Sequence, residues 1–267
     1  MKQVLRILFI VICLAVMIFS GIQIYRELAV YHEGDASYEA LETYIILPPE
    51  EEPEEEHTAE SNVPPGGQGQ PVTEETAVGR FPQVDFAALS AINPDIVGWL
   101  YCEDTVINYP VTQTTDDEYY LRHLFDGSTH KSGCLFLEAA NAADFSDIHS
   151  IIYGHHMKNG SMFQSLSNYK KQSYYDEHPT LLLMTPGQNY TIRLFAGYVC
   201  AADGNAWQLD FRSDEEFKNW LQSACRRSTF DSGITPTVSD HIITLSTCSY
   251  EYDDARYVVL GVLEAED

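Results

Sequence analysis

The chain has 267 residues, with 15 Lys and Arg against 40 Asp and Glu, a net charge of −25 and six cysteines. A hydrophobic fraction of 45% with 17 tyrosines excludes a wholly disordered chain, and the length suits one ordinary domain with appendages. The charge excludes a general nucleic-acid binder, and also docking on anionic lipid through a basic patch, because both need a surplus of Lys and Arg.

The charge falls into three regimes along the chain. Residues 1–32 carry three bases and one acid, residues 33–80 thirteen acids and one base, and residues 81–267 eleven bases and twenty-six acids. From Ile7 to Tyr25 the sequence is apolar except for Ser20, Gly21 and Gln23. As a helix this stretch spans about 28 Å at ~1.5 Å per residue, close to the hydrocarbon thickness of a bilayer. Lys2 and Arg6 precede it and acids follow, so the positive-inside rule leaves the N-terminus in the cytoplasm and the rest outside. A cleavable signal peptide is the competing reading, but no clear small-x-small site follows Phe19. Cys13 has no lipobox around it.

Next comes a run of Glu50-Glu51-Glu52-Pro53-Glu54-Glu55-Glu56, then Pro64-Pro65-Gly66-Gly67. Like charges repel, and Pro and Gly disfavour regular structure, so residues 26–80 read as an acidic extracellular stalk. A docking site for a basic partner is the sharper alternative. Helical patterning at 29–46 suggests a short juxtamembrane helix within this span.

The remaining 187 residues can bury a sizeable core. Segments 86–89 and 96–100 read as short helical pieces leading into a strand. Strands are expected at 106–111, 134–137, 150–154, 181–184, 190–199, 241–247 and 257–263, where β-branched and aromatic runs are separated by turn residues such as Asn159-Gly160 and Pro186-Gly187. One helix interrupts them: Ser213 and Glu216 form a capping box, and Phe217, Trp220, Leu221 and Ala224 repeat at helical spacing. Seven or eight such strands fit a closed barrel.

Five cysteines lie beyond the apolar stretch, an odd number at wide spacing, so at least one is unpaired within the chain. No Cys/His cluster has metal-ligand spacing, and phosphate-loop and dinucleotide fingerprints are absent. Cys248 ends an apolar strand, and Arg256 opens the next one. An antiparallel hairpin centred on Tyr252 puts them opposite each other, with Cβ atoms ~5 Å apart. A guanidinium there favours the thiolate and can hold a carbonyl oxygen as negative charge develops on it. Tyr153-Gly154-His155-His156 ends another short strand, where an imidazole could activate the thiol. No histidine follows Cys248, which excludes a papain-like order of Cys then His. Ser246 shares a strand face with Cys248, and Thr247 faces the other way. Trp99, Trp207 and Trp220 read as core or loop packing rather than substrate contacts.

These residues resemble a sortase of class B. Thr244-Leu245-Ser246-Thr247-Cys248 matches the family's TLxTC signature, with Arg256 where its arginine is expected, and Tyr153-Gly154-His155 resembles the segment that carries its histidine. His156 to Phe163, Asn93 to Leu100 and the helix at 213–227 look specifically like class B. The resemblance covers about residues 83–264. It implies an eight-stranded sortase-type β-barrel, mostly β, with N-terminal helices and a helix inserted before the penultimate strand. It also implies a cysteine transpeptidase of a Gram-positive-type envelope that needs no cofactor or metal. Cys248 would be the nucleophile, His155 the general acid/base with His156 as the alternative, and Arg256 the oxyanion or positioning group; Ser246 and Thr247 would line the substrate groove. The implied partners are surface proteins with a sorting signal and an amine of peptidoglycan or a pilin lysine. The organisation is then residues 1–6 cytoplasmic, 7–25 transmembrane, 26–80 stalk and 81–267 catalytic domain. An L,D-transpeptidase-like cysteine enzyme and a non-catalytic surface adhesin or scaffold are the alternatives.

Overall fold

The computed structural model describes residues 2–48 and 81–266. A single helix, α1 (Lys2–Leu41), carries the apolar segment, whose most apolar stretch contains no buried residue. A short strand β1 (Ile45–Ile46) follows and pairs antiparallel with β2 (Gln83–Val84). Asp85 accepts from the Ala88 N–H at 2.9 Å and caps α2 (Phe86–Ile92).

Eight strands then close a barrel: β3 (Ile96–Tyr101), β4 (Asn108–Thr112), β5 (Leu135–Leu137), β6 (His149–Tyr153), β7 (Thr180–Met184), β8 (Asn189–Ala201), β9 (Ile242–Cys248) and β10 (Ala255–Ala265). Round the barrel the order is β10-β8-β7-β3-β4-β5-β6-β9, antiparallel except at β4–β5 and β6–β9. A helical turn is absent at 96–100, contrary to expectation. Asn93-Pro94 ends α2, and Trp99 and Leu100 form ladder pairs with both β4 and β7.

Strand alternation separates two cores. Leu100, Leu245, Tyr257 and Val259 belong to the large cluster inside the barrel. Tyr198, Val258 and Leu260 pack outside it against Phe217, Trp220 and Leu221 of α3 (Asp214–Arg227), the helix inserted before the penultimate strand. Ser213 caps α3 by accepting from the Glu216 N–H at 3.2 Å. The Glu216 carboxylate reaches back to the Arg212 N–H at 2.7 Å rather than to Ser213.

The stalk expected from residue 26 is not what the described part of that span forms. The second half of α1 lies on the barrel: Tyr38 and Leu41 are buried, Tyr38 packs edge-on against Tyr109, and its hydroxyl donates to the Gly133 carbonyl. His130 donates to the Val30 carbonyl at 2.8 Å, and Asn159 to the Asp35 carboxylate at 3.0 Å. Gly34 is required by this contact, because a Cβ there would sit 2.6 Å from the His130 ring. Apolar Tyr38 and Leu41, three apart on one helix face, explain why the helix docks instead of continuing into solvent. The glutamate and proline runs of the stalk lie outside the described residues.

Candidate active site

Register sets the floor of the site. Phe136 of β5 pairs with Tyr153 of β6, Tyr153 with Ser246 of β9, and Cys248 of β9 with Arg256 of β10. Ladder partners point to one face, and alternate residues along a strand share it. The five side chains therefore present to the same outer face, opposite to Leu245 and Tyr257 in the barrel interior. That face opens into a cavity of about 350 Å³, which Asp117, Leu121, His155 and Trp207 also border.

Cys248 is half-buried at the end of β9, and all six cysteines are free thiols. Burial pushes the Cys102 and Cys200 thiols up to about 11 and that of Cys134 to about 12. Cys200 pairs with Arg256 from the other side. Cys200 and Cys248 thus stand two strand spacings apart, roughly 9–10 Å, beyond the Cα reach of a disulfide. The Arg256 guanidinium donates to the Ala255 carbonyl at 3.0 Å and makes no ion pair among the described residues. Its charge is left for whatever occupies the cavity.

His155 follows Gly154, whose added Cβ would lie 2.4 Å from Leu135 and 2.7 Å from Phe163. Only glycine lets the backbone pass that close and deliver the imidazole to the cavity. His155 Nε2 lies 2.7 Å from the Leu121 carbonyl oxygen. A carbonyl only accepts, so Nε2 carries hydrogen and Nδ1 is the nitrogen free to exchange a proton. His156 points elsewhere: it packs edge-on against Tyr250, borders no part of this cavity, and burial lowers its pKa.

Ser246 is buried on the Cys248 face. Thr247 also borders the cavity; alternation turns its side chain toward the interior, where Oγ1 has no hydrogen-bond partner among the described residues. Trp207 borders the cavity, whereas Trp99 is fully buried and Trp220 packs on α3. Buried His149 holds the Trp207 segment: Nδ1 donates to the Gln208 carbonyl at 2.9 Å and Nε2 accepts from Thr244 at 2.8 Å.

The cavity also has an acidic wall that no sequence motif announced. Asp117 accepts from the Ala139 N–H at 2.7 Å and hydrogen-bonds Glu138, which accepts from the Tyr153 hydroxyl at 2.7 Å. Burial first, then the neighbouring Glu138, pushes Asp117 up to about 6. Among the described residues no group of three or more His, Cys, Asp or Glu is placed to hold a metal ion.

A thiol, an imidazole and a guanidinium border one cavity on a closed barrel, and these are the groups that cysteine acyl transfer uses. Comparison narrows this. The sortase domain family matches residues 100–264. Sortase B of Listeria monocytogenes is 37% identical over 177 residues, covering 66% of this chain and 72% of the relative. The Staphylococcus aureus sortase B–substrate complex matches with a TM-score of 0.65 and 32% identity over 68% of this chain and 85% of that one. A sortase B complexed with triglycine has the same score and identity, with 86% of that chain covered. The chain belongs to the sortase family, in class B: a cysteine transpeptidase with a cell-wall anchoring function.

Proposed function

We propose that the enzyme is a single-pass membrane protein, N-terminus cytoplasmic and barrel outside, that cleaves a C-terminal sorting signal at a Thr–Gly-type bond. The observation that supports the cleavage chemistry is the direct pairing of Cys248 with Arg256, with His155 bordering the same cavity. The Cys248 thiolate attacks the scissile carbonyl, Arg256 stabilises the oxygen as it becomes negative, and imidazolium His155 gives its Nδ1 proton to the departing amine. The C–N bond breaks as the C–S bond forms, leaving a thioacyl enzyme. An acceptor amine then attacks the same carbon, the C–S bond breaks, and the amine's proton passes to His155, restoring the thiolate–imidazolium pair. The Leu121 carbonyl supports this cycle, because it accepts from Nε2–H in both charge states of the ring.

The S. aureus substrate complex and the triglycine complex of related enzymes support a peptide donor and an amine acceptor for this chain. Peptidoglycan is the acceptor we favour, with a pilin lysine as the second. The full chain in detergent micelles should cleave a Pro-x-Thr-containing peptide and trap a thioacyl adduct seen by intact mass. Undiminished cleavage by Cys248→Ala would falsify the assignment.

A further inference from the structure

A second cavity of about 510 Å³ adjoins the first. Leu121 and His155 border both. On its remaining sides α1 supplies Glu33, and the segment before β5 supplies Arg122, His130 and Lys131. This wall is built by specific contacts between the two segments. His130 holds the Val30 carbonyl, and Lys131 pairs with Glu27 at 2.6 Å while lying 3.5 Å from the centre of the Tyr31 ring. Arg122 is exposed and has no ion-pair partner among the described residues. Two of only eleven Lys and Arg in residues 81–267 therefore line a cavity that His155 also borders.

The second half-reaction needs room for two ligands. The acylated chain fills the cavity of Cys248 and Arg256, so the acceptor has to arrive beside it. Its nitrogen must come within hydrogen-bond reach of His155, the titratable residue that both cavities share. The walls of the second cavity carry both signs, which matches a ligand with an ammonium and a carboxylate and repels one of single sign. We infer that this cavity is the acceptor subsite, and that it takes a wall peptide bearing a free amine together with a free carboxylate. Arg122 receives the carboxylate, and Glu33 draws the ammonium toward His155. The inference rests on the roles given above to Cys248 and His155. A lysine inside a folded pilin offers no adjacent carboxylate and is the poorer match.

The test separates the two half-reactions in the full chain in detergent micelles. Acylation is read as the burst with a fluorogenic sorting peptide. Aminolysis is read with three nucleophiles: a stem peptide with a free diamino-acid amine and a C-terminal carboxylate, the same peptide as its C-terminal amide, and hydroxylamine. Arg122→Gln should raise KM for the carboxylate peptide about tenfold, the scale of one charge-assisted contact, and leave the other two nucleophiles and the burst unchanged. Arg122→Lys should restore most of the loss. Glu33→Gln should raise KM for both peptides but not for hydroxylamine. Equal KM values in wild type and Arg122→Gln, or a loss shared by all three nucleophiles, overturn the subsite. A smaller burst in Arg122→Gln also overturns it, since the cavity would then serve the sorting peptide. A full burst in Cys248→Ala sinks the parent reading instead, and is distinct from all of these.

Discussion

Cys248 and Arg256 are ladder partners, and the turn between them is closed by the Ser249 N–H donating to the Ala255 carbonyl at 2.9 Å. The Arg256 backbone is thereby fixed by pairing on both flanks, with Cys248 on one side and Cys200 on the other. Arg256→Ala should lower turnover by about 3 kcal/mol, roughly a hundredfold or more, the cost of losing one oxyanion donor. Its melting temperature should move little, since Arg256 forms no ion pair among the described residues. Steady-state kinetics beside a melting curve checks both. A variant that keeps wild-type kcat would show that Arg256 does not touch the reacting oxygen.

Thiol chemistry offers a second check. Cys102, Cys134 and Cys200 are buried and pushed up to between about 11 and 12, so at neutral pH they are protonated and inaccessible. Iodoacetamide at pH 7 should modify Cys248 in the native enzyme while leaving these three intact, and inactivation should track that adduct. Peptide mapping by mass spectrometry reads the site. Rapid labelling of Cys102 or Cys134 in the folded enzyme would contradict their burial.

How much of this was legible in the sequence depends on whether backbone or side chain does the work. The opposition of Cys248 and Arg256 could be read, because hairpin register follows from counting residues to a turn. The need for Gly154 could be anticipated, although its cause, contact with Leu135 and Phe163, could not. The Leu121 carbonyl on His155 was invisible, since every residue has a carbonyl and none advertises its target. Asp117 and Glu138 lie 21 positions apart and meet only because the loop after β4 crosses the end of β5. That Trp207 borders the cavity could not be read, because it stands in a three-residue helical turn with no period, next to the Gln208 carbonyl that buried His149 holds. Segment 96–100 reads as helical from the sequence because its apolar spacing fits both periods, and the two flanking ladders make it a strand.

His149 makes stability depend on pH. Burial lowers its imidazole to about 4, against 6.5 in an open chain. Between these values the unfolded chain binds the extra proton, so stability is full above about 6.5 and is lost as pH falls toward 4. The shift corresponds to a loss on the order of 3 kcal/mol. His149→Asn, which keeps a donor for the Gln208 carbonyl, should be less stable at pH 7 but flatter over this window. Urea unfolding of both proteins from pH 4 to 7 isolates the contribution, because other titrating groups, such as Asp117, cancel in the difference. Parallel pH profiles would remove His149 as the cause.

The docked half of α1 changes what the acidic segment can do. In the sequence residues 49–80 join β1 to β2, and these strands pair Ile45 with Val84 and Ile46 with Gln83. A span whose two ends are held side by side does not set the distance between the apolar N-terminal half of α1 and the barrel; α1 sets it. Replacing residues 49–80 with a short Gly/Ser linker should therefore preserve melting temperature, peptide cleavage and sorting in cells. Gly34→Leu should do the opposite, since its side chain would displace His130 and Ser132. Overpacking of this kind costs about 1–3 kcal/mol, enough to loosen α1 from the barrel. Cleavage of a soluble peptide would survive that change better than sorting of a membrane-held substrate, because only the latter depends on the distance α1 imposes. A linker variant that cleaves peptide normally but fails to sort would return the role of spacer to the acidic segment.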